Sequence, residues 1–140
     1  MGRTVDIDMT FESAIHVDNV LGSLFKAGWT AVWDVQTRYM VADFEWKASR
    51  PDDLSSVKGE MEENLSAGDV VGIAIFWQDS GYGGNFLIYD DRKTASFLPE
   101  LNRRPLAGAA EFTDLGWYVA RLVPPLREIG LESIATTDKP

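Results

Sequence analysis

Two pairs of carboxylates in this chain have a spacing that could support general acid–base catalysis. Asp43 and Glu45 lie two positions apart, so a strand would place them on one face, and Glu60 and Glu63 share one face of a helix. Two carboxyl groups work as acid and base only when they are desolvated together, because their repulsion then keeps one of them protonated. Charge runs of this kind are usually solvated surfaces, so we interpret both pairs as surface groups.

Other catalytic templates are missing from the sequence. The chain has no cysteine and one histidine, His16, which argues against thiolate and histidine-rich metal centres. Ser13 stands three residues before His16, but a Ser–His pair without an orienting acid and an oxyanion hole is not a triad. The glycine-rich segment 81–84 lacks the lysine of a phosphate-binding loop and lies between apolar runs, which favours a hairpin turn. We therefore predict no enzymatic activity, no cofactor and no metal site.

The acidic charge of the chain has two interpretations: it only aids solubility, or it attracts a basic protein partner. The 140 residues include 22 acidic and 13 basic side chains, a formal net charge of −9, which repels nucleic-acid backbones and attracts basic proteins. Aromatic side chains bordered by charge are common interface anchors. We read Trp29, Trp33 and Trp117 as core residues and leave the role of Trp77 open. The predicted partner-binding residues are Asp43, Glu45, Trp46, Glu60, Glu62, Glu63, Asp79 and Tyr82.

The first elements follow from hydrophobic periodicity. Residues 4–11 alternate as a half-buried strand, and apolar residues between 17 and 25 fall on one helical stripe. Ser13 is the expected N-cap of this helix, and Gly28 is expected to end it in the left-handed region. Strands are predicted at 29–33 and 37–44, with a turn at 34–36.

The middle of the chain predicts a second helix and a meander. Asp52 or Asp53 is expected to cap a helix that ends at Gly68. Residues 70–77 are apolar on both faces, as in a central strand, and strands at 85–90 and 93–98 follow.

The C-terminal part predicts a third helix that begins after Thr113 or Asp114. Pro124 and Pro125 lack backbone donors and leave the carbonyls of Ala120 and Arg121 without helical partners, so this helix either ends near Val123 or kinks. A short strand is expected at 131–136, and residues 137–140 are expected to fray.

Together these elements predict a single α+β domain spanning residues 1–140. Its mainly antiparallel sheet has six or seven strands with helices mostly on one face, in the order β-α-β-β-α-β-β-β-α-β. The N-terminus lacks a signal-peptide pattern and no apolar run is long enough to span a bilayer, so a cytoplasmic protein with no membrane contact is expected.

Two segments carry a family resemblance: GGNFLIYDDRKTASFLPELNRRPLAG, and TDLGWYVARLVPPLREIGLESI after it. With Asn102-Arg103-Arg104, Asp114 and Trp117-Tyr118, they resemble small immunity proteins of bacterial polymorphic-toxin and contact-dependent inhibition systems. The resemblance implies a non-catalytic protein that binds a cognate toxin domain, for example a basic nuclease, and blocks its active site or its access to substrate. One alternative is a small-ligand-binding or enzymatic domain with an aromatic-lined pocket between helix and sheet, and another is a structural subunit whose acidic face binds a basic partner that is not a toxin.

Overall fold

The computed structural model describes residues 2–140 and shows an α+β fold built on one antiparallel sheet. Within these residues the strands are β1 (Thr4–Phe11), β2 (Trp29–Thr30), β3 (Thr37–Met40), β4 (Trp46–Ser49), β5 (Val71–Trp77), β6 (Gly83–Ile88), β7 (Thr94–Leu101), β8 (Pro105–Leu106), β9 (Ala109–Thr113) and β10 (Leu131–Lys139). The helices are α1 (Val17–Ala27), α2 (Leu54–Ser66) and α3 (Leu115–Arg127), and a 3-10 turn at Pro51–Asp53 precedes α2.

The sheet order is β10-β1-β7-β6-β5-β3-β4, and β2 also pairs with β5. The predicted α+β class and antiparallel sheet are confirmed, but the main sheet has eight strands rather than six or seven. The predicted strand 37–44 ends at Met40, since Asp43 and Phe44 turn the chain with positive φ, and β4 follows. The hairpin of β8 and β9 was also missed, because its residues carry no alternating pattern.

One face of the sheet is covered by the helices. Alternate residues of β1 share a single buried core with side chains from all three helices, among them Ile7, Met9, Leu21, Met61 and Tyr118. Burying an apolar side chain of this size contributes about 1.5–3 kcal/mol, so this shared core holds the helices on the sheet.

The opposite face of the sheet has no helix on it. Because side chains alternate along strands, the neighbours of the core residues point to this face. Near β1 they are polar, with Asp6, Asp8 and Ser96, while near β5 and β3 they include Phe76 and Arg38. The Ser96 hydroxyl donates a hydrogen bond to Asp8 Oδ1 at 2.6 Å. Burial and the neighbouring Asp8 carboxylate raise the pKa of Asp6.

Helix α1 begins later than predicted. Its N-cap is His16, not Ser13, and no side chain of the cap residue bonds the helix. The Val17 amide instead donates to Glu62 Oε1 at 3.1 Å, so a carboxylate from α2 satisfies the start of α1. Gly28 ends the helix as predicted, with φ 130°.

Helix α3 continues through both prolines to Arg127, so of the two predicted alternatives, an end near Val123 or a kink, the end near Val123 is ruled out. The carbonyl of Arg121, which Pro125 leaves without a helical partner, accepts a hydrogen bond of 3.0 Å from the Trp29 indole. The C-terminal strand is also longer than predicted: β10 extends to Lys139, whereas residues 137–140 were expected to fray. Asp138 anchors it, because its carboxylate accepts the Thr113 amide at 2.7 Å.

The Trp29→Phe substitution tests this substitute hydrogen bond. The phenyl ring retains apolar packing but leaves the Arg121 carbonyl without a donor, so we expect the free energy of unfolding to fall by about 1–3 kcal/mol in urea titrations. The control is Trp46→Phe, because Trp46 is half-buried and its indole has no hydrogen bond among residues 2–140. Equal losses for the two variants would contradict a specific role for the Trp29 indole.

Candidate functional site

The predicted partner-binding residues do not form one surface. Asp43, Glu45 and Trp46 lie together where β3 turns into β4, and both acids are exposed. Asp79 and Tyr82 lie in the turn between β5 and β6. The three glutamates belong to α2, and two of them are held by contacts within the chain.

Glu60 connects α2 to the β3–β4 hairpin. Its carboxylate accepts a hydrogen bond from the Tyr39 hydroxyl at 2.8 Å and pairs with the Lys47 ammonium. The hydrogen bonds from Lys47 and Tyr39 hold the pKa of Glu60 below its ordinary value. Burial and this hydrogen bond to Glu60 raise the pKa of Tyr39. Glu60 therefore fixes the hairpin against α2.

Glu62 connects α2 to α1 and to the β6–β7 turn. Its carboxylate pairs with the Arg92 guanidinium, accepts the Val17 amide, and lies 3.5 Å from His16 Nδ1. Burial alone would raise the pKa of Glu62, but hydrogen bonds from Arg92 and Val17 lower it overall. Glu63, one position further along α2, is exposed.

Tyr82 belongs to an aromatic cluster away from the acidic residues. Its ring meets Trp117 edge-on at 5.5 Å, and the Arg104 guanidinium lies 5.1 Å from the Tyr82 ring centre. Arg121 lies between Trp117 and Trp77, 4.1 and 5.4 Å from their ring centres. These contacts give Tyr82 and Trp77 packing roles and separate Tyr82 from Asp43 and Glu45.

Two turns that bracket β3 expose apolar side chains. In the first, Asp34 and Val35 have φ 52° and 54°; in the second, Asp43 and Phe44 have φ 54° and 55°. Val35 is 84% exposed and Phe44 72% exposed, the highest values among the large hydrophobic residues recorded as exposed. A β-branched or bulky residue at positive φ is strained, so this geometry costs stability without a packing gain. Sequence analysis missed both apolar tips; the signal was an Asp–apolar dipeptide in a turn.

The predicted core position of Trp33 is wrong. Its side chain is 45% exposed and stacks on Phe76 across the uncovered face, with ring centres 4.7 Å apart and planes 20° apart. Phe76 lies flat over Gly83, where an added Cβ would meet its ring at 2.3 Å. The glycine therefore makes room for the aromatic pair.

Beside this pair the uncovered face holds an open cavity of about 700 Å³. It is lined by Ala31, Trp33, Asp34, Gln36, Arg38, Ala74, Phe76, Gly81, Leu101 and Asn102. Between helix and sheet, where the alternative interpretation places a pocket, the rings of Trp29, Phe97 and Tyr118 pack in series, with ring centres 5.6 and 5.7 Å apart.

Comparisons of the chain with protein-family models, with curated proteins and with solved structures find no match. None of the helices in residues 2–140 is both long and apolar enough to cross a membrane. The same residues contain no cluster of three or more His, Asp or Glu side chains placed to hold a metal ion.

The role of Glu62 predicts a pH-dependent stability difference. Its folded pKa lies below the ordinary value of 4.5, so its ionised form stabilises the fold above that pH, and this stabilisation is lost as pH falls through the folded pKa. Since its side chain is 35% exposed, solvent screening limits the effect, and Glu62→Gln should lower the free energy of unfolding by about 1 kcal/mol at pH 7.

Urea titrations of the wild type and Glu62→Gln between pH 7 and pH 3 measure this difference, which should shrink at the acidic end. The matched control is Glu63→Gln, because Glu63 is exposed on the same helix. A difference for Glu62→Gln that stays constant with pH would rule out the charged network as its source.

Proposed function

We propose that this protein binds a cognate toxin domain and neutralises it by direct contact, blocking its active site or its access to substrate, without catalysis of its own. The observation that carries the proposal is the pair of strained, exposed apolar tips, Val35 and Phe44. Phe44 lies with Asp43, Glu45 and Trp46 at one end of β3 and Val35 lies at the other end, so a partner that contacts both tips must span the strand. We call these five residues the turn surface. The resemblance of the last two-fifths of the chain to bacterial immunity proteins supports the same class.

The turn surface has the composition of a binding interface. Apolar and aromatic anchors within a polar rim supply most of the binding free energy at protein interfaces, and a few such residues dominate. The turns at both ends of β3 are tied to the body: Trp33 stacks on Phe76 at one end, and Glu60 holds Tyr39 near the other. A surface that is already ordered loses little conformational entropy on binding.

The charge of the turn surface favours a basic partner. Asp43 and Glu45 are exposed and, among residues 2–140, neither has a cation within salt-bridge distance, whereas Lys47 is engaged by Glu60. The net charge of −9 adds long-range attraction for a basic domain such as a nuclease and opposes direct binding of nucleic acid. Glu60 and Glu62 serve this surface through structure, by fixing α2 to the hairpin and to α1.

The apolar tips make a prediction that separates binding from stability. Val35→Gly and Phe44→Gly each create the Asp-Gly pair that such turns prefer, so the free energy of unfolding should stay constant or rise by about 0.5–1 kcal/mol. The proposal predicts that the reading frame directly upstream encodes the toxic domain, and binding to that domain should weaken about 10- to 100-fold for each variant, because an anchor is lost.

Interferometry with that domain and protection of cells that co-express it measure the two effects. Phe112→Ser is the control, since Phe112 is 43% exposed in β9, away from both turns. Full binding and protection by both glycine variants would remove the turn surface from the proposal, and failure of the wild type to protect would overturn the proposed function.

Charge reversal tests the electrostatic part of the proposal. Asp43→Lys with Glu45→Lys should slow association with the basic domain about tenfold at low ionic strength, and the effect should diminish as salt screens the charges. Glu132→Lys, on β10 at the opposite edge of the sheet, is the matched control. An association rate unaffected by the double reversal would place the contact elsewhere.

A further inference from the structure

We infer that the cavity on the uncovered sheet face binds a mononucleotide whose base carries an exocyclic amino group, with the base stacked on Trp33 and the phosphate held by Arg38. This inference does not rest on the proposed function. The volume of the cavity, about 700 Å³, is in the range of small-ligand sites.

The exposed face of the Trp33 ring forms a stacking platform in the cavity. Trp33 is stacked on Phe76 through one side of its ring, and nearly half of its side chain is open to solvent. The Phe76 ring supports the Trp33 indole from one side, and Gly83 makes room for Phe76 because it has no Cβ. The Trp33 ring is therefore already held in place before a ligand binds. Every nucleobase offers a flat face to such a ring, and stacking of this kind is a general source of nucleotide affinity.

Arg38 supplies a positive charge to the cavity. Arg38 is exposed and, among residues 2–140, has no carboxylate within salt-bridge distance, in contrast to Arg92 and Arg104. A guanidinium presents its donors in a planar fork that fits phosphate oxygens. Gln36 and Arg38 lie two residues apart on one face, about 7 Å along the strand. Trp33 pairs with Gln36 across the turn, and both Trp33 and Arg38 line the cavity, so a base stacked on Trp33 and a phosphate held by Arg38 would occupy the same space.

Asp34 and Asn102 form a polar rim of the cavity. Asp34 offers only acceptors when ionised, so it suits a base with an exocyclic amino group and opposes a base with a carbonyl in the same place. Asn102 donates its amide to the Gly81 carbonyl at 3.0 Å, which fixes the side chain and leaves its oxygen as an acceptor. Adenine therefore fits the rim better than hypoxanthine.

Calorimetric titration of the full chain with adenosine monophosphate, inosine monophosphate and adenosine tests the inference. We expect saturable binding of adenosine monophosphate, at least tenfold stronger than of either comparison ligand. Arg38→Gln should reduce its affinity to that of adenosine, and Asp34→Asn should remove the preference over inosine monophosphate. Arg127→Gln, an exposed arginine at the end of α3, is the control and should change nothing.

Trp33→Leu should abolish binding while circular dichroism shows the fold retained, and Arg38→Gln keeps the test valid should Trp33→Leu fail to fold. Absence of saturable binding to the wild type, or binding that Arg38→Gln does not weaken, would overturn the inference. Tighter binding of single-stranded oligoadenylate than of the monophosphate would likewise overturn assignment to a free nucleotide. Phe44→Gly should bind adenosine monophosphate normally, so the two binding proposals fail separately.

Discussion

The segment after α1 is held by two aromatic contacts on opposite faces of β5, and both of the proposed binding surfaces depend on these contacts. Trp29 meets Trp77 edge-on at 5.4 Å on the covered face, and Trp33 stacks on Phe76 at 4.7 Å on the other. Because adjacent strand residues point to opposite faces, one dipeptide of β5 holds both tryptophans. The indole N–H of Trp29 also donates a hydrogen bond to the Arg121 carbonyl, and this bond replaces one that α3 loses where it continues through its prolines.

From these aromatic contacts the position of β3 follows. Its first turn begins at Trp33, which Phe76 holds, and its body is tied to α2 where the Tyr39 hydroxyl donates to Glu60. A strand of four residues held near both ends leaves its turns little freedom, so residues at positive φ persist there despite their cost. Strain at exposed positions that pack against nothing is better explained by recognition than by stability.

The sequence allowed local features to be predicted and failed at distant ones. The strand at 4–11 and the end of α1 at Gly28 follow from alternation and from glycine, and both are confirmed. Trp29 and Trp33 follow the same period-two pattern, yet β2 ends at Thr30 and Trp33 crosses to the other face. The partner of Glu62, Arg92, lies 30 residues away, so no local pattern announces that pair.

The turn surface and the cavity differ in charge: the turn surface is acidic, and the cavity contains the cation of Arg38. Ion pairs within the chain compensate Glu60 and Glu62, whereas Asp43, Glu45 and Arg38 have no such partner among residues 2–140 and are available for the partner and the nucleotide that we propose. The field of a −9 chain speeds the approach of a basic domain and slows that of a nucleotide, and both effects fade beyond about 8 Å at physiological salt. Nucleotide affinity must then come from contact with Trp33 and Arg38, whereas steering acts on a basic domain before contact.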